Sequence, residues 1–166
     1  IDHEHFKPIE VAKDDKKMIF LFIGRLLKDK GVIEFVESAR KLKQEFDHLE
    51  FRIIGPLWLQ NLKENTITKQ QVDGWVEEGI ISYIGELSDV RNQIAESDCL
   101  VLPSYREGTS NVLLEASSME RPCITCNTTG CREIVENEKT GYLCKVADID
   151  DLADKMKKMI QLPRES

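Results

Sequence analysis

The sequence predicts an α/β fold: a parallel sheet with helices packed on both of its faces. Three observations predict it. Short apolar runs alternate along the chain with stretches of helical period. The apolar runs are continuous rather than alternating, as in Met18-Ile19-Phe20-Leu21-Phe22-Ile23, the pattern of strands buried on both faces. Glycine follows directly after three of them, at Gly24, Gly55 and Gly85. In open parallel sheets, backbone at the carboxyl ends of the strands comes close to ligands, and glycine permits that approach.

Residues 1–17 are polar and aperiodic and read as a connecting arm; residues 18–166 read as one domain, as a chain of 166 residues suggests. Met18 to Ile23 is the first strand. Val32, Phe35, Val36, Ala39, Leu42 and Phe46 recur at helical spacing, so Val32 to Phe46 is a helix. Leu49 to Ile54 is the second strand, Ile67 to Glu78 a helix that contains Gly74, and Ile80 to Ile84 the third strand. Ser88 is placed to cap a short helix running through Glu96, with Asp89 in its first turn. Cys99 to Leu102 is the fourth strand. A helix starts at Thr109 or Ser110 and runs to about Met119. Pro122 to Cys126 is the fifth strand, Gly130 to Glu136 a short helix, Gly141 to Cys144 a short strand and Asp148 to Gln161 the closing helix.

Hydrophobic residues make up 41% and charged residues 32%, which describes a globular chain and excludes disorder for its bulk. No apolar run approaches the roughly 20 residues that span a bilayer. The opening Ile1-Asp2-His3-Glu4-His5 lacks the basic and apolar regions of a signal peptide, which implies a cytoplasmic chain. With 30 acids against 23 bases the net charge is −7, so broad neutralisation of a nucleic-acid backbone is excluded, while a local site for one phosphate group stays open. The five cysteines, Cys99, Cys123, Cys126, Cys131 and Cys144, read as reduced thiols. Cys123 and Cys126 form a CxxC inside a strand, where residues three apart point to opposite faces; that suits buried structural thiols rather than a shared metal. His3, His5 and His48 read as surface residues. The run Asp148 to Asp151 reads as an acidic helix start, and Lys155, Lys157 and Lys158 as a solvated helix face that can also meet an anionic membrane surface.

Two segments can carry chemistry. Gly24-Arg25-Leu26-Leu27-Lys28-Asp29-Lys30-Gly31 follows the first strand. It is neither a dinucleotide fingerprint nor a Walker A loop, since G-x-G-x-x-G is absent and Lys30-Gly31 reverses the Gly-Lys order. It offers two cations, Arg25 and Lys30, at a strand's carboxyl edge, a pairing that fits a diphosphate. The second segment is Glu107-Gly108-Thr109-Ser110-Asn111-Val112-Leu113-Leu114-Glu115-Ala116. The N–H groups of a helix that begins there form an anion site. Asn111, Glu115 and Ser118 share one face, while Leu113, Leu114 and Ala116 pack inward. At about 1.5 Å rise per residue Glu107 and Glu115 lie at most roughly 12 Å apart, too far for a paired-carboxylate glycosidase and suitable for holding two ends of an elongated ligand.

The stretch Glu107 to Pro122 resembles the E-x7-E signature of retaining glycosyltransferases of family 4, which have the GT-B fold. Leu102-Pro103-Ser104, Glu107-Gly108, Leu114-Glu115-Ala116, Arg121-Pro122 and Gly130-Cys131-Arg132-Glu133-Ile134-Val135 stand in that family's order. Phe22-Ile23-Gly24-Arg25-Leu26 with Lys30-Gly31 resembles its phosphate-binding loop, and Ile1 to Pro8 the segment that enters its second domain. The resemblance implies a Rossmann-like domain, the C-terminal, donor-binding half of a GT-B enzyme whose N-terminal half lies outside this chain. It implies that Gly24, Arg25 and Lys30 hold the donor diphosphate and that Gly108, Thr109 and the N–H groups of Ser110, Asn111, Val112 and Leu113 assist. It implies that Glu115 accepts from ribose hydroxyls and that Glu107 faces the transferred sugar, with Glu107, Arg25 and Lys30 as the catalytic set. Ile81 to Gly85 resembles the strand end near the nucleobase. No metal or cofactor is implied beyond the nucleotide-diphosphate sugar itself. The resemblance implies a saccharide or lipid-linked acceptor and, for the full-length enzyme, peripheral contact at the inner face of the cell membrane. The segment Gly130 to Glu133 resembles members that assemble capsule, exopolysaccharide or lipopolysaccharide. The family often has glycine where Glu120 stands, which bears on how the preceding helix ends. The alternatives are a non-catalytic nucleotide-sugar-binding module and an epimerase or hydrolase on the same scaffold; Glu107 together with Glu115 favours the transferase.

Overall fold

The computed structural model describes residues 17–57, 65–105, 111–128 and 141–162. The connecting arm, apart from Lys17, and the helix expected over Gly130 to Glu136 lie outside them. The described strands are β1 (Met18–Ile23), β2 (Leu49–Ile54), β3 (Ser82–Gly85), β4 (Cys99–Leu102), β5 (Cys123–Cys126) and β6 (Gly141–Cys144). They form one parallel sheet in the order β3-β2-β1-β4-β5-β6. The described helices are α1 (Val32–Glu45), α2 (Lys69–Glu77), α3 (Arg91–Glu96), α4 (Asn111–Ser118) and α5 (Ile149–Gln161), with a single 3-10 turn over Lys28–Lys30.

Every residue of β1 is buried. Alternation sends Phe20 and Phe22 to one face, where Phe20 stacks on Phe51 of β2 at 5.4 Å and Phe35 of α1 meets Phe22 at 5.7 Å. Arg52 of β2 points the other way and ties the sheet to α3 through Glu96, at 2.7 Å, and Gln93, at 3.2 Å. Both faces are therefore covered, which is why the strands read as unbroken apolar runs. On the first face α5 lies against α1: Ser38 Oγ donates to the Ile149 carbonyl at 3.3 Å, and Lys157 pairs with Glu45 at 2.6 Å.

The elements depart from the sequence expectation at their ends, each time for a local reason. Thr68 and Gln71 form a capping box, so α2 starts at Lys69 and Ile67 stays extended, its N–H bonded to the Leu26 carbonyl at 3.3 Å. Ile80 N–H still closes the turn after α2 on Trp75, so β3 starts at Ser82 and reaches Gly85. Ser88 does not cap α3: Asp89 Oδ1 accepts the Arg91 N–H at 3.0 Å, and the helix starts there. β5 starts at Cys123, after Pro122, which lacks an N–H for the ladder. Asp148 caps α5 as the acidic run suggested, accepting from Asp151 N–H at 2.9 Å.

Cys99, Cys123, Cys126 and Cys144 are buried free thiols. Burial pushes Cys123 up to about 12 and Cys99 well above its usual value, so neither is a ready nucleophile. Cys126 Sγ lies 3.8 Å from Cys144 Sγ on the neighbouring strand, whereas Cys123 is bonded by Ser117; the CxxC is thus split between two environments, as the strand reading requires. Cys131 lies outside the described residues.

Candidate functional site

Strand order reverses between β1 and β4. The chain leaves β1 toward β2 and leaves β4 toward β5, so two loops diverge from the carboxyl edge of adjacent strands. That is the topological switch point at which open α/β sheets bind ligands.

The first loop is Gly24 to Gly31. Gly24 N–H continues the ladder onto the Ile54 carbonyl at 2.9 Å. A Cβ on Gly55 would stand 1.7 Å from the Gly24 carbonyl oxygen, so only glycine lets the ends of β1 and β2 pass this closely. Leu26 is buried and donates to Pro56 at 3.1 Å. Asn65 then secures the turn: its carbonyl accepts from Lys28 N–H at 2.7 Å and its side chain from Asp29 N–H at 2.9 Å. Gly31, at φ 83°, ends the turn and begins α1. With Leu26 anchored inward, Arg25 is left exposed at the loop's surface and Lys30 half-buried in the turn; both also engage neighbours within the chain.

The second loop leaves β4 through Pro103, Ser104 and Tyr105, and enters α4. Glu107, Gly108, Thr109 and Ser110 lie outside the described residues. Asn111 opens α4 and is exposed; Val112 and Glu115 are half-buried. Leu113 and Ala116 are fully buried, as expected, whereas Leu114 is only half-buried and does not share their inward packing. Glu115 therefore projects from the same helix face as Asn111 and Ser118.

The two loops are fastened to each other. Tyr105 N–H donates to the Asp29 carbonyl at 2.8 Å, and Tyr105 OH donates to Glu34 Oε2 at 2.5 Å. A Cβ on Gly31 would stand 2.2 Å from the Pro103 carbonyl oxygen, so Gly31 meets the backbone after β4 directly. Burial first, then the Glu34 carboxylate, push the Tyr105 hydroxyl up to about 12, so it remains a proton donor at any working pH. The segment carrying Arg25 and Lys30 and the segment leading to Glu115 are thereby brought to one edge of the sheet. The third glycine joins that edge: Gly55 N–H donates to the Gly85 carbonyl at 2.8 Å, and Tyr83 OH to the Gly55 carbonyl at 2.6 Å.

Tyr105, Glu34 and Asn65 escaped the sequence reading. Tyr105 lies in a segment quoted only for its neighbours. Glu34 looks like any acid in a helix's first turn. Asn65 lies in an aperiodic stretch. A cleft of about 380 Å³ elsewhere, lined by Lys43, Phe51, Val76, Gly79, Ile80 and Tyr83, sits under the ends of α1 and α2. Lys43 there is spent on the Gly79 carbonyl, at 2.6 Å, so that cleft gathers no anion-binding chemistry. Among the described residues no three His, Cys, Asp or Glu side chains cluster to hold a metal ion.

The sheet order, the switch point and the pair of fastened loops define a Rossmann-like domain with a ligand edge between β1 and β4. The chain belongs to the glycosyl transferases group 1 family, whose model matches residues 4–166. It is 30% identical over 139 residues to the capsular polysaccharide biosynthesis glycosyltransferase CapM of Staphylococcus aureus, covering 84% of this chain and 36% of that protein. It is 32% identical over 163 residues to the UDP-Gal:alpha-D-GlcNAc-diphosphoundecaprenol alpha-1,3-galactosyltransferase of Escherichia coli, covering 90% and 41%. Among solved structures, a sucrose-phosphate synthase from Thermosynechococcus elongatus superposes with a TM-score of 0.79 at 20% identity, covering 96% of this chain and 41% of that one. The chain thus spans 36% and 41% of the lengths of these two curated relatives.

Proposed function

We propose that this chain is the donor-binding, C-terminal domain of a retaining GT-B glycosyltransferase that transfers a hexose from a nucleotide-diphosphate sugar. The observation that carries the reading is the fastening of the Arg25/Lys30 loop to the exit of β4 through Tyr105, Asp29, Glu34 and the Gly31–Pro103 contact. It joins the loop that carries the two cations to the exit of β4 at one switch point, which supports a diphosphate site there.

In this reading Arg25 grips the diphosphate with its planar fork and Lys30 acts as a point charge. The N–H groups from Ser110 to Leu113 add donors aimed at the same anion. Glu115 accepts from the ribose hydroxyls. Glu107 faces the transferred sugar, orienting it or stabilising positive charge at its anomeric carbon. As the bond to the sugar breaks, negative charge grows on the departing diphosphate, and preorganised cations and donors lower the barrier most at that moment. A missing N-terminal half completes the cleft and brings a saccharide or lipid-linked acceptor. Two relatives named for capsule and for a diphosphoundecaprenol-linked substrate support bacterial surface-polysaccharide assembly. None of the described helices is long and apolar enough to cross a bilayer.

Calorimetric titration with UDP, GDP and ADP tests the reading. One of them binds, and Arg25→Ala and Glu115→Ala each weaken it by about tenfold or more, the loss expected for one charge-assisted hydrogen bond of about 1.5–3 kcal/mol. Unchanged affinity in both variants refutes the assigned contacts.

A further inference from the structure

We propose that Tyr105 and Glu34 are positioning residues of the transfer reaction, holding Pro103 to Tyr105, at the exit of β4, in register with the Arg25/Lys30 loop. The assignment rests on the donor-site reading above. Tyr105 stands two residues before Glu107 and six before Asn111 in the sequence, close to the residues proposed to meet the sugar and the diphosphate.

Two attachments hold Tyr105, and they differ in what they fix. The N–H bond to Asp29, at 2.8 Å, and the Gly31–Pro103 contact join the backbones of the two loops. The hydroxyl bond to Glu34 Oε2, at 2.5 Å, anchors the Tyr105 ring to α1. Removing the hydroxyl therefore leaves the two backbones joined but releases the Tyr105 ring from α1.

Packing alone does not call for this pair. Glu34 is 7% exposed on a helix whose neighbouring inward positions are Phe35, Val36 and Ala39. Among the described residues its other oxygen, Oε1, is buried with no hydrogen-bond partner, and so is Asp29 Oδ1 in the loop. A half-satisfied buried carboxylate is a poor way to fill space, and replacing both members of a hydrogen-bonded pair with apolar groups of similar shape is close to neutral for stability. A carboxylate kept here with one oxygen unserved answers to geometry rather than to burial. The raised hydroxyl pKa keeps the proton on Tyr105, so the restraint does not lapse at any working pH.

The test uses the whole protein that contains this chain, in four forms: wild type, Tyr105→Phe, Glu34→Gln and the double variant Tyr105→Phe with Glu34→Leu. Donor turnover is followed with UDP-galactose, UDP-glucose, UDP-N-acetylglucosamine and GDP-mannose, and binding with UDP and GDP. In Tyr105→Phe and in the double variant, kcat at saturating donor falls about tenfold or more, as small misplacements of reacting groups do, while the Kd of the diphosphate moves less than about threefold. Glu34→Gln, which still accepts from the hydroxyl, keeps kcat within about threefold of wild type. The double variant unfolds within a few degrees of wild type, so its loss of kcat is not a loss of fold, and it carries the test if Tyr105→Phe alone folds poorly. A folded double variant with wild-type kcat overturns the assignment and leaves the donor site standing. A wild type that binds no diphosphate and turns over no donor overturns the donor-site reading itself.

Discussion

Glu120 holds a conformation that its side chain resists, and releasing it makes a measurable stability prediction. α4 ends at Ser118, and Glu120 follows at φ 60°, in the left-handed region. Glu120 N–H bonds to the Ser117 carbonyl at 3.0 Å and Arg121 N–H to the Ala116 carbonyl at 3.0 Å. These two bonds are the Schellman pattern, with Glu120 at the position where glycine is favoured. A residue with a Cβ loses about 1–2 kcal/mol there, and glycine returns about 0.5–1 kcal/mol of that through its greater freedom in the unfolded chain. Glu120→Gly should therefore stabilise the fold by about 0.5–1 kcal/mol. A further gain of about 0.3 kcal/mol comes from removing a carboxylate from a helix C-terminus. For a domain of this size that raises Tm by about 2–4 °C. Glu120→Ala separates the two contributions: it removes the charge but keeps the strain, so it gains only the smaller one, and high salt abolishes that gain. Glu120→Asn falls between, since Asn tolerates the left-handed region. Thermal unfolding of the series by circular dichroism reads the order Gly, Asn, Ala, Glu. A glycine variant no more stable than the alanine variant refutes the strain argument. The site stays intact in all of them, because Arg121 is held separately, its Nη2 donating to the Ala95 carbonyl at 2.8 Å.

Other consequences follow from the same geometry. Gly31→Ala forces a Cβ to within 2.2 Å of the Pro103 carbonyl oxygen at φ 83°, so it pries the two loops apart; titration should show diphosphate affinity reduced by about tenfold or more, and calorimetry a lower Tm. Phe35→Ala empties the space between Phe22 and Phe51 and should destabilise by about 3–5 kcal/mol in urea unfolding. Asp151 titrates low: burial opposes this, but the Lys145 N–H and the Lys155 ammonium outweigh it and hold its carboxyl below the usual 3.8. A depressed folded-state value stabilises the fold above the unfolded pKa and is lost as pH falls through the folded one. Stability measured by urea unfolding between pH 5 and about 2 should therefore fall less steeply in Asp151→Asn than in wild type. Thiol labelling of a Cys131→Ser variant should be slow when native and reach Cys99, Cys123, Cys126 and Cys144 only on unfolding.

The strands and α1 were legible because their signal is local. An unbroken apolar run such as Met18 to Ile23 needs two covered faces, and only a parallel sheet between helices supplies them. The three glycines were legible as a set, and two of them join in the bond from Gly55 to Gly85 at the carboxyl edge. The fastening between the loops was not legible, because Tyr105 and Glu34 are 71 residues apart and meet only once β4 lies beside β1. No periodicity marks Glu34 as buried, since a charged residue in a first turn ordinarily faces solvent. Ser88 misled for the opposite reason: it is a good cap by type, but α3 begins after Val90, where no side chain caps it, and Asp89 reaches the Arg91 N–H from one residue before the cap position. The resemblance supplied the roles of Glu107 and Glu115, which composition and spacing left open between a surface acid and a ligand contact.

A diphosphate site, as proposed for this acidic chain, is no contradiction once charge is weighed by distance. The net −7 is spread over a domain whose radius exceeds the Debye length of about 8 Å at physiological salt, so most of those charges are screened from the switch point. Many of the bases elsewhere are committed to structure: Arg52 to Glu96, Lys155 to Asp151 and Lys157 to Glu45 each join elements or successive turns. The local field at the loops is set instead by residues within a few ångströms, and there topology does what composition does not. It delivers Arg25 and Lys30 on one short loop beside the exit of the neighbouring strand, and in the proposed donor site these cations and the backbone dipoles at the start of α4 serve one diphosphate. On the proposed reading, positive charge gathered at one edge of a negatively charged molecule serves a single diphosphate. The same balance disfavours the long polyanions that a uniformly basic surface would attract.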